Sequence, residues 1–307
     1  MNIAKRLLFR NRNGGFGTPQ FIFQIQSDNT GTSNDDQFTV PTLGTGYDYD
    51  GATSNGQTFL NNTGNLTITF TPGIGLYGLT VTRDFPRIHF NSGGDKDKLE
   101  EITKWGSNPW TSFENAFRGC TNLTIHPNAG APDLSLVTSL QNTFQFNSSM
   151  NSPTLSSWNT SNVTNMNGTF ASCTLFNQDL NSWDTSHVTI MSGMFTACAV
   201  FNGNISNWNT GNVENMRSMF SQTAAFNQNI RLVTNFTNFL TNATLSTANY
   251  DALLVAWEAQ GPQPNLNFHG GNSTFTIGSA ADTARTNLKA ATGSGGYGWV
   301  ITDGGGV

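Results

Sequence analysis

The sequence is poor in charged residues. Lys, Arg, Asp and Glu make up only 11% of its 307 residues, and the formal net charge is −5. A chain with so little charge but with 23 Phe and 7 Trp is not a disordered polyelectrolyte, because it has enough apolar side chains to form a core. The composition is typical of a β-rich protein with a neutral polar surface, of the type found outside cells or on virions.

Cysteine is also scarce. Cys120, Cys173 and Cys198 each lie three residues after a phenylalanine, so they share one position of a repeated pattern. A free Cys packs as a small hydrophobe. We therefore interpret the three as core residues, with a redox or metal role as the alternative. A chain with this much apolar content needs no disulfides.

Long apolar runs are absent. No segment approaches the roughly 18 apolar residues of a transmembrane helix. The first residues carry positive charge, as in a signal peptide, but the apolar run over residues 7–9 is far shorter than a signal-peptide core, and Arg10 and Arg12 follow it. The sequence as it stands therefore predicts neither membrane insertion nor Sec-dependent export.

The residue groups that catalysis needs are missing as well. The four histidines are scattered, and no phosphate-binding loop with its Lys is present. Residues 158–227 contain a single basic residue, Arg217, which disfavours nucleic acid as a partner. We expect a protein that is not an enzyme and uses no cofactor. A deep cleft with two close carboxylates would indicate the alternative, which is an enzyme built on a β-solenoid.

What the sequence does contain is a repeat of 25 residues. Trp158, Trp183 and Trp208 follow this period, and Val, Met and Phe come after each of them at constant offsets. A constant period of this length is the signature of a solenoid, in which no coil buries its aromatic residues alone and successive coils stack. Weaker copies extend the pattern over residues 105–243, which predicts about six coils.

Each coil is predicted to contain a strand, a turn and a helical return. Val163, Met166, Phe170 and Cys173 have the spacing of one face of a helix or a 3-10 segment, and residues 180–185 follow the rhythm of a leucine-rich-repeat strand. Strands of adjacent coils would pair about 4.8 Å apart in a parallel sheet. The Trp, Met and Phe positions are assigned to the core and not to a cofactor site.

Different patterns flank the repeats. Apolar and polar residues alternate from Gln20 to about residue 92, which predicts an antiparallel β-sandwich. The charged run from Asp95 to Lys104 is predicted to be a helix that seals the first coil. Two helices and a strand are expected after residue 244, the first helix beginning at Ser246 or Thr247. The fold class is thus mainly β with short helices, comprising a flexible basic arm (1–19), the β-sandwich (20–92), a leucine-rich-repeat-like solenoid (93–243) and an α/β C-terminal cap (244–307).

Asp48 and Asp50 are weak candidates for a metal site. They stand two residues apart before Gly51, which supplies a fragment of the oxygen ligand set that a cation such as Ca²⁺ needs. The alternative is a turn with two solvated acids. No other metal site is predicted.

The predicted strands define a candidate recognition face. Their outward positions carry small polar side chains, which would form a flat hydrogen-bonding surface suited to a glycan or to the backbone of another protein. The alternative is a solvated face that binds nothing. The residues of this recognition face are Ser157, Asn159, Ser161, Ser182, Asp184, Ser186, Asn207 and Asn209.

The repeat resembles that of a known family. The phrase W-[ND]-T-[SG]-x-V-x-x-M-x-x-x-F, with FNQDL or FNQNI between copies, is similar to the repeat of BspA-type leucine-rich-repeat surface proteins. The preceding region resembles a PKD-like, Ig-like domain. The resemblance covers about residues 20–304. It implies a surface adhesion or recognition module, of a kind found on bacterial cells and encoded in tailed-phage genomes.

The resemblance and the charge distribution suggest two functions. Residues 1–19 carry Lys5, Arg6, Arg10 and Arg12 and no acid, so we interpret them as an arm that anchors the protein to other virion proteins of the capsid or tail. The favoured function is a virion surface protein of a tailed phage (a capsid decoration, head fibre or tail-associated adhesion protein) that displays the solenoid to a host glycan or protein. The alternatives are a bacterial cell-surface adhesin and, for the arm, a solvated tail. The repeats fit a monomer and a homo-oligomer equally.

Deleting residues 1–17 tests the anchoring arm. The truncated protein should stay folded and soluble, because the predicted core begins after these residues, but it should no longer join particles. The measurement is the amount of protein that sediments with purified particles. Unchanged incorporation would contradict the anchoring role.

Overall fold

The protein is mainly β, with two α-helices among the residues that the structure describes. The computed structural model describes residues 9–10, 16–17, 21–228 and 239–307. The strands are β1 (Phe9–Arg10), β2 (Phe16–Gly17), β3 (Phe21–Gln26), β4 (Gln37–Val40), β5 (Asp48–Thr53), β6 (Thr58–Asn62), β7 (Leu66–Thr69), β8 (Leu76–Asp84), β9 (Leu99–Lys104), β10 (Thr124–Ile125), β11 (Asn267–His269) and β12 (Val300–Thr302). The helices are α1 (Thr247–Ala259) and α2 (Ala280–Lys289), with short 3-10 helices at Lys96–Lys98, Pro153–Ser157 and Thr292–Ser294.

Two sheets with apolar inner faces form the N-terminal part. The larger has the strand order β10–β9–β3–β8–β5–β6, and the smaller pairs β4 with β7. The alternation in β3 is as predicted, since Phe21, Phe23 and Ile25 are fully buried and the residues between them are partly exposed. The ring of Phe23 contacts that of Phe38 in β4, with centroids 5.9 Å apart. The two sheets therefore share one core.

The helix predicted over Asp95–Lys104 is wrong. Only Lys96–Lys98 form a 3-10 turn, and β9 follows it and pairs antiparallel with β3. Leu99 and Ile102 have the spacing of a helical face, yet both are fully buried in the sheet, because two register shifts in the β3–β9 pair place extra residues on β9. Pairing with the free edge of β3 thus outweighs the local helical pattern. The parallel pairing of β9 with β10 links this sheet to the repeats.

Asp95 and Lys98 hold the loop between β3 and β4 from opposite sides. Both side chains are buried. The Asp95 carboxylate accepts three backbone N–H groups at 2.6–2.9 Å, and Lys98 Nζ donates to three backbone carbonyls at 2.7–3.3 Å. The N–H donors belong to Thr32, Ser33 and Thr39, and the carbonyls to Ser33, Asn34 and Gln37. The loop is therefore attached to the sheet by two buried charges.

The repeats stack on one another, but the strands and helical returns predicted inside each coil are wrong. Between residues 126 and 228, all of which are described, there is no strand and one 3-10 helix. Consecutive coils meet instead at isolated parallel bridges, which join Ser139, Asn165, Ile190 and Asn215 in succession. The bridges between coils thus lie two residues after each Val of the repeat, and not in the predicted strand at residues 180–185 or its equivalents.

A ladder of backbone hydrogen bonds joins the coils and runs in one direction. Asn142, Phe144 and Phe146 donate their N–H groups to the carbonyls of residues 167, 169 and 171 at 2.8–2.9 Å, and the next coil repeats the pattern. Left-handed residues stand two positions before and two positions after the middle donor, so the chain is left-handed twice in each coil. The left-handed pairs are Asn115 and Gly119, Asn142 and Phe146, Gly168 and Ser172, Gly193 and Ala197, and Ser218 and Gln222. These left-handed turns lie in the segment predicted to be the helical return, and not in the segment of the predicted strand.

Phenylalanine rings stack beneath the ladder. The centroids of Phe144, Phe170, Phe195 and Phe220 are 5.6–5.8 Å apart in succession, and their planes lie within 13° of one another. Such offset pairs contribute about 0.5–1.5 kcal/mol beyond burial alone. The Trp, Met and Phe positions of the repeats are buried, as the sequence predicts.

The ladder extends past both ends of the clear repeats. Its outermost rungs are single hydrogen bonds between backbone N–H and carbonyl groups, with N···O distances of 2.8–3.0 Å. In these rungs Phe90 donates to Ala116, Leu240 to His269 and Gly270 to Thr302. The two helices lie in the long connections between the last rungs, where β11 pairs in parallel with β12. The C-terminal part therefore continues the stack in addition to closing it.

Both C-terminal helices are where the sequence places them. The hydroxyls of Ser246 and Ser279 accept backbone N–H groups at the beginnings of α1 and α2. The buried face of α1 consists of Tyr250, Leu253, Leu254 and Trp257. Val233 and Phe236, which are predicted to continue the repeat positions, lie outside the described residues.

Replacing Asp95 with Asn should destabilise the N-terminal sheets. Burial raises the pKa of Asp95, but hydrogen bonds from Ser33 and Thr39 and the charge of Lys98 outweigh it and hold the pKa below its ordinary value. The carboxylate therefore stabilises the fold at neutral pH, and this contribution is lost as the pH falls through the folded-state pKa. D95N leaves Lys98 buried without its counter-charge, so we expect a loss of about 2–4 kcal/mol in urea unfolding at pH 7.

The pH dependence and an acid within the loop that Asp95 holds provide the controls. The wild type should lose stability as the pH falls below about 4, and D95N should lose less, because it has no such carboxylate to protonate. Asp35 is exposed, and D35N should change the free energy of unfolding by less than about 0.5 kcal/mol. Equal effects of D95N and D35N would contradict the role of Asp95.

Candidate binding surface of the repeats

The eight residues of the recognition face lie at the surface, but on turns and not on strands. They flank Trp158, Trp183 and Trp208, and each is exposed or half-buried. Equivalent positions of neighbouring coils are side by side, since Thr160 Oγ1 donates to the carbonyl oxygen of Asp184 at 2.9 Å. The structure thus places these residues in stacked rows of turns.

Much of the hydrogen-bonding capacity of this face is used within the protein. Side-chain oxygens of Asn159, Asp184 and Asn209 each accept the backbone N–H two residues further on, at 2.9–3.1 Å. Hydrogen bonds from Ser186 lower the pKa of Asp184. Ser182 donates its hydroxyl to a carbonyl of the preceding coil. The side-chain nitrogens of Asn159, Asn207 and Asn209 make no hydrogen bond to the described residues, so part of the recognition face stays available to a ligand.

A ladder of asparagine side chains, which the sequence does not predict, also joins the coils. The Oδ1 atoms of Asn151, Asn177 and Asn202 each accept the backbone N–H of the equivalent residue in the next coil, at 2.8–2.9 Å. The signal for it is the Phe-Asn pair that recurs at a constant offset. The most regular polar residue of the repeat therefore has a structural role.

A groove of about 460 Å³ crosses four coils beside the left-handed residues. It extends from Phe146 to Arg217, and Gly168, Ala171 and Gly193 line its middle. Phe146 is 44% exposed. Small residues line most of the middle of the groove, and the longer side chains of Phe146 and Arg217 stand at its two ends.

Unused hydrogen-bond donors line the groove. Arg118 Nε donates to Gln145 Oε1 at 2.7 Å, and the Arg118 guanidinium lies 5.5 Å from the centroid of the Phe146 ring. Gln145 Nε2 makes no hydrogen bond to the described residues. Asn215 Oδ1 accepts the backbone N–H of Arg217 at 3.0 Å, but neither Asn215 Nδ2 nor the Arg217 guanidinium has a partner in the described part of the chain.

The weak metal candidates Asp48 and Asp50 lie on β5 and both bind Arg83. One Arg83 nitrogen contacts the Asp48 carboxylate, and the other lies 3.0 Å from Asp50 Oδ2. A guanidinium thus already balances both carboxylates. Over the described ranges no group of three or more His, Cys, Asp or Glu residues has the arrangement of a metal site.

The three cysteines are free and buried. Burial raises the pKa of Cys120 and Cys173 well above the ordinary value and that of Cys198 to about 12. The thiols of Cys173 and Cys198 each donate to a phenylalanine carbonyl of the preceding coil at 2.9 Å, and Thr223 does the same at 2.6 Å. At this position of the repeat the cysteine thiol therefore acts as a buried hydrogen-bond donor, and in another coil a threonine hydroxyl takes its place.

The histidines are not assembled into a catalytic group. His187 is exposed and lies 3.3 Å from the hydroxyl of Ser186. His269 Nδ1 accepts the backbone N–H of Gly271 at 3.1 Å and so fixes a turn next to a rung of the ladder. Burial lowers the pKa of His89.

The side chains of the anchoring arm fall outside the described residues. This applies to Lys5, Arg6, Arg10 and Arg12. Within the arm the structure describes only the backbone pairing of β1 with β2, which is antiparallel. Neither α1 nor α2 has the length and apolar character to cross a membrane.

Comparison with known proteins gives one family match. The family described as "Mycoplasma protein of unknown function, DUF285" matches residues 111–244, which is less than half of the chain and lies within the stacked repeats. The match is compatible with a BspA-type surface-repeat protein. No curated protein and no solved structure matches the chain.

Replacing Asn147 with Thr should stabilise the stack. Asn147 occupies the same position of its coil as the cysteines and Thr223, is fully buried, and has no partner for Oδ1 or Nδ2 among the described residues. A threonine hydroxyl there can donate to the preceding coil as Thr223 does. We expect N147T to raise the free energy of unfolding in urea by about 1–2 kcal/mol.

The reciprocal substitution T223N is the matched control. It removes a satisfied donor and buries an amide, so it should lower the free energy of unfolding by a similar amount, about 1–3 kcal/mol. The interpretation fails if N147T destabilises the protein or if T223N leaves it unchanged.

Proposed function

We propose that the chain is a non-enzymatic recognition protein, displayed on a surface, that makes contact through its repeats. The observation that carries the proposal is the backbone ladder from Phe90 to Thr302. In a body of this kind, side chains between the ladder positions can vary without loss of backbone bonds. In this proposal the coils form a leucine-rich-repeat-like solenoid, and the two N-terminal sheets form a β-sandwich that separates it from the attachment point.

The pairing of the acids supports binding over catalysis. A catalytic carboxylate must be free to exchange a proton or attack a substrate. Asp303 is held by Arg285 at 2.8 Å and by Tyr250 at 2.7 Å, and Asp48 and Asp50 are held by Arg83. Burial raises the pKa of Asp303, but the hydrogen bonds from Arg285 and Tyr250 have the larger effect. The pKa therefore lies below its ordinary value, and the carboxylate is the stable form. These carboxylates are engaged in ion pairs that stabilise the fold.

The family match favours display of the protein on a cell surface over display on a virion. The matching family is described from Mycoplasma, and the matched residues are the repeats themselves. The virion surface protein is the second candidate, and the basic composition of residues 1–19 is the observation that favours it.

Immunogold labelling tests display and carrier together. Antibodies against the full chain should label intact, unpermeabilised cells of the source organism, because the repeats must face outward to make contact. A strain that lacks the gene is the control for specificity. Label on particles purified from the culture medium, and not on cells, would support the virion candidate. Label that requires permeabilised cells and is absent from particles would contradict the proposal.

A further inference from the structure

The groove between Phe146 and Arg217 has the chemistry of a ligand site. We propose that it binds an oligosaccharide that carries carboxylate groups, such as a chain containing uronic or sialic acid. The inference rests on the proposed recognition function and places that function on a different surface from the recognition face. It follows from the unused donors, the shape of the groove and the position of its charge.

The groove has unused donors at both ends, besides the amide oxygens of Asn142 and Asn167, which accept no hydrogen bond from the described residues. Gln145 Nε2, Asn215 Nδ2 and the Arg217 guanidinium offer N–H groups that no described residue accepts, whereas the oxygens of Gln145 and Asn215 are already bonded. Donors of this kind are satisfied by a ligand rich in oxygen acceptors. Hydroxyl and carboxylate oxygens of an acidic sugar supply such acceptors.

The shape of the groove favours a short polymer. It crosses four coils, which at about 4.8 Å per step gives a length of roughly 14 Å between its ends. Gly193 leaves room for a ligand to approach the backbone closely, whereas the Asn142 side chain occupies the space beside Gly168. At one end the exposed Phe146 ring provides an apolar surface on which the C–H face of a sugar can pack, and Arg118 and Gln145 fix the surroundings of that ring.

A peptide fits the groove less well than a sugar does. An extended peptide is recognised through free backbone groups of a strand edge or through apolar pockets for its side chains. Here the N–H groups of residues 142, 144, 146, 168, 170 and 172 are already bonded to the next coil. The groove residues other than Phe146 and Ala171 are polar or glycine. The surface therefore offers neither mode of peptide recognition.

The charge of the groove selects for an acid. Arg217 is the sole basic residue between 158 and 227, is exposed, and makes no ion pair within the described chain. A guanidinium binds a carboxylate through two parallel hydrogen bonds. Arg217 is thus positioned to bind a carboxylate at one end of a ligand whose other end contacts Phe146.

A glycan array identifies the ligand class. Fluorescently labelled full-length protein is applied to oligosaccharides that contain uronic or sialic acid, to their methyl-esterified forms, to neutral oligosaccharides and to acidic hexapeptides. We expect binding to the acidic sugars at least about tenfold above their methyl esters, the size of one lost charge-assisted hydrogen bond. Binding to the acidic sugars should weaken as salt is added.

Two substitutions then test the groove itself, with the best acidic sugar as probe. R217Q removes the charge and should weaken binding at least about tenfold. G193N fills the groove and should abolish binding. The new Cβ would lie 3.4 Å from Thr196 Oγ1, and asparagine already occupies the left-handed position at Asn142, so the fold should be kept. K289Q, in α2, makes the same charge change away from the groove and should have no effect.

The outcomes separate this inference from the proposed function. Equal binding of acidic and methyl-esterified sugars, preference for the acidic peptides, or no binding to acidic sugars at up to about 1 mM would each overturn the assignment. Binding that survives both R217Q and G193N but is lost in D184R would place the contact on the recognition face. That result would overturn the assignment of the ligand to the groove but would still support the proposed recognition function. Melting temperatures within about 3 °C of wild type show that the variants are folded. The labelling of intact cells decides display independently of every array result.

Discussion

The one-directional ladder between coils is the constraint on which the rest of the repeats depends. Three alternate N–H groups of one coil bond to three alternate carbonyls of the next, and the chain turns left-handed twice within this segment of each coil. Each such residue other than glycine costs on the order of 1 kcal/mol, and the inter-coil bonds and stacked phenylalanines offset that cost. No β-branched residue occupies a left-handed position anywhere in the described chain, as expected from the clash of a branched side chain in this conformation.

The ladder also determines which groups are available to a ligand. Because backbone N–H and carbonyl groups bond from coil to coil, a ligand must be recognised by side chains. Asn177 and Asn202 are the most regular of the polar side chains, and their oxygens bond the next coil. Asp184 likewise holds its own turn. We therefore propose contact at irregular positions such as Gln145 and Arg217, where neighbouring coils differ.

The sequence predicted the columns of the core but not the path of the chain between them. A period of 25 residues implies stacking because Trp183 or Phe195 cannot be buried within one coil, and this argument needs no knowledge of local conformation. The spacing of Val163, Met166, Phe170 and Cys173 fits a helical face and also fits a pair of stacked turns, and the inter-coil hydrogen bonds favour the second. Over residues 99–104 the edge of β3, which is distant in sequence, overrides a local helical pattern.

The groove was missed for a different reason, which connects stability to binding. Glycine adopts the left-handed conformation without strain, so the ladder itself favours glycine at positions such as Gly168 and Gly193. The missing side chains then leave a gap in a surface that Asn142 and Ser218 fill in the neighbouring coils. A glycine in one coil looks like a turn residue when read along the sequence, and its effect appears only when the coils are placed side by side. The same left-handed positions that belong to the stack thus include Gly193, beside which the surface has space for an added side chain.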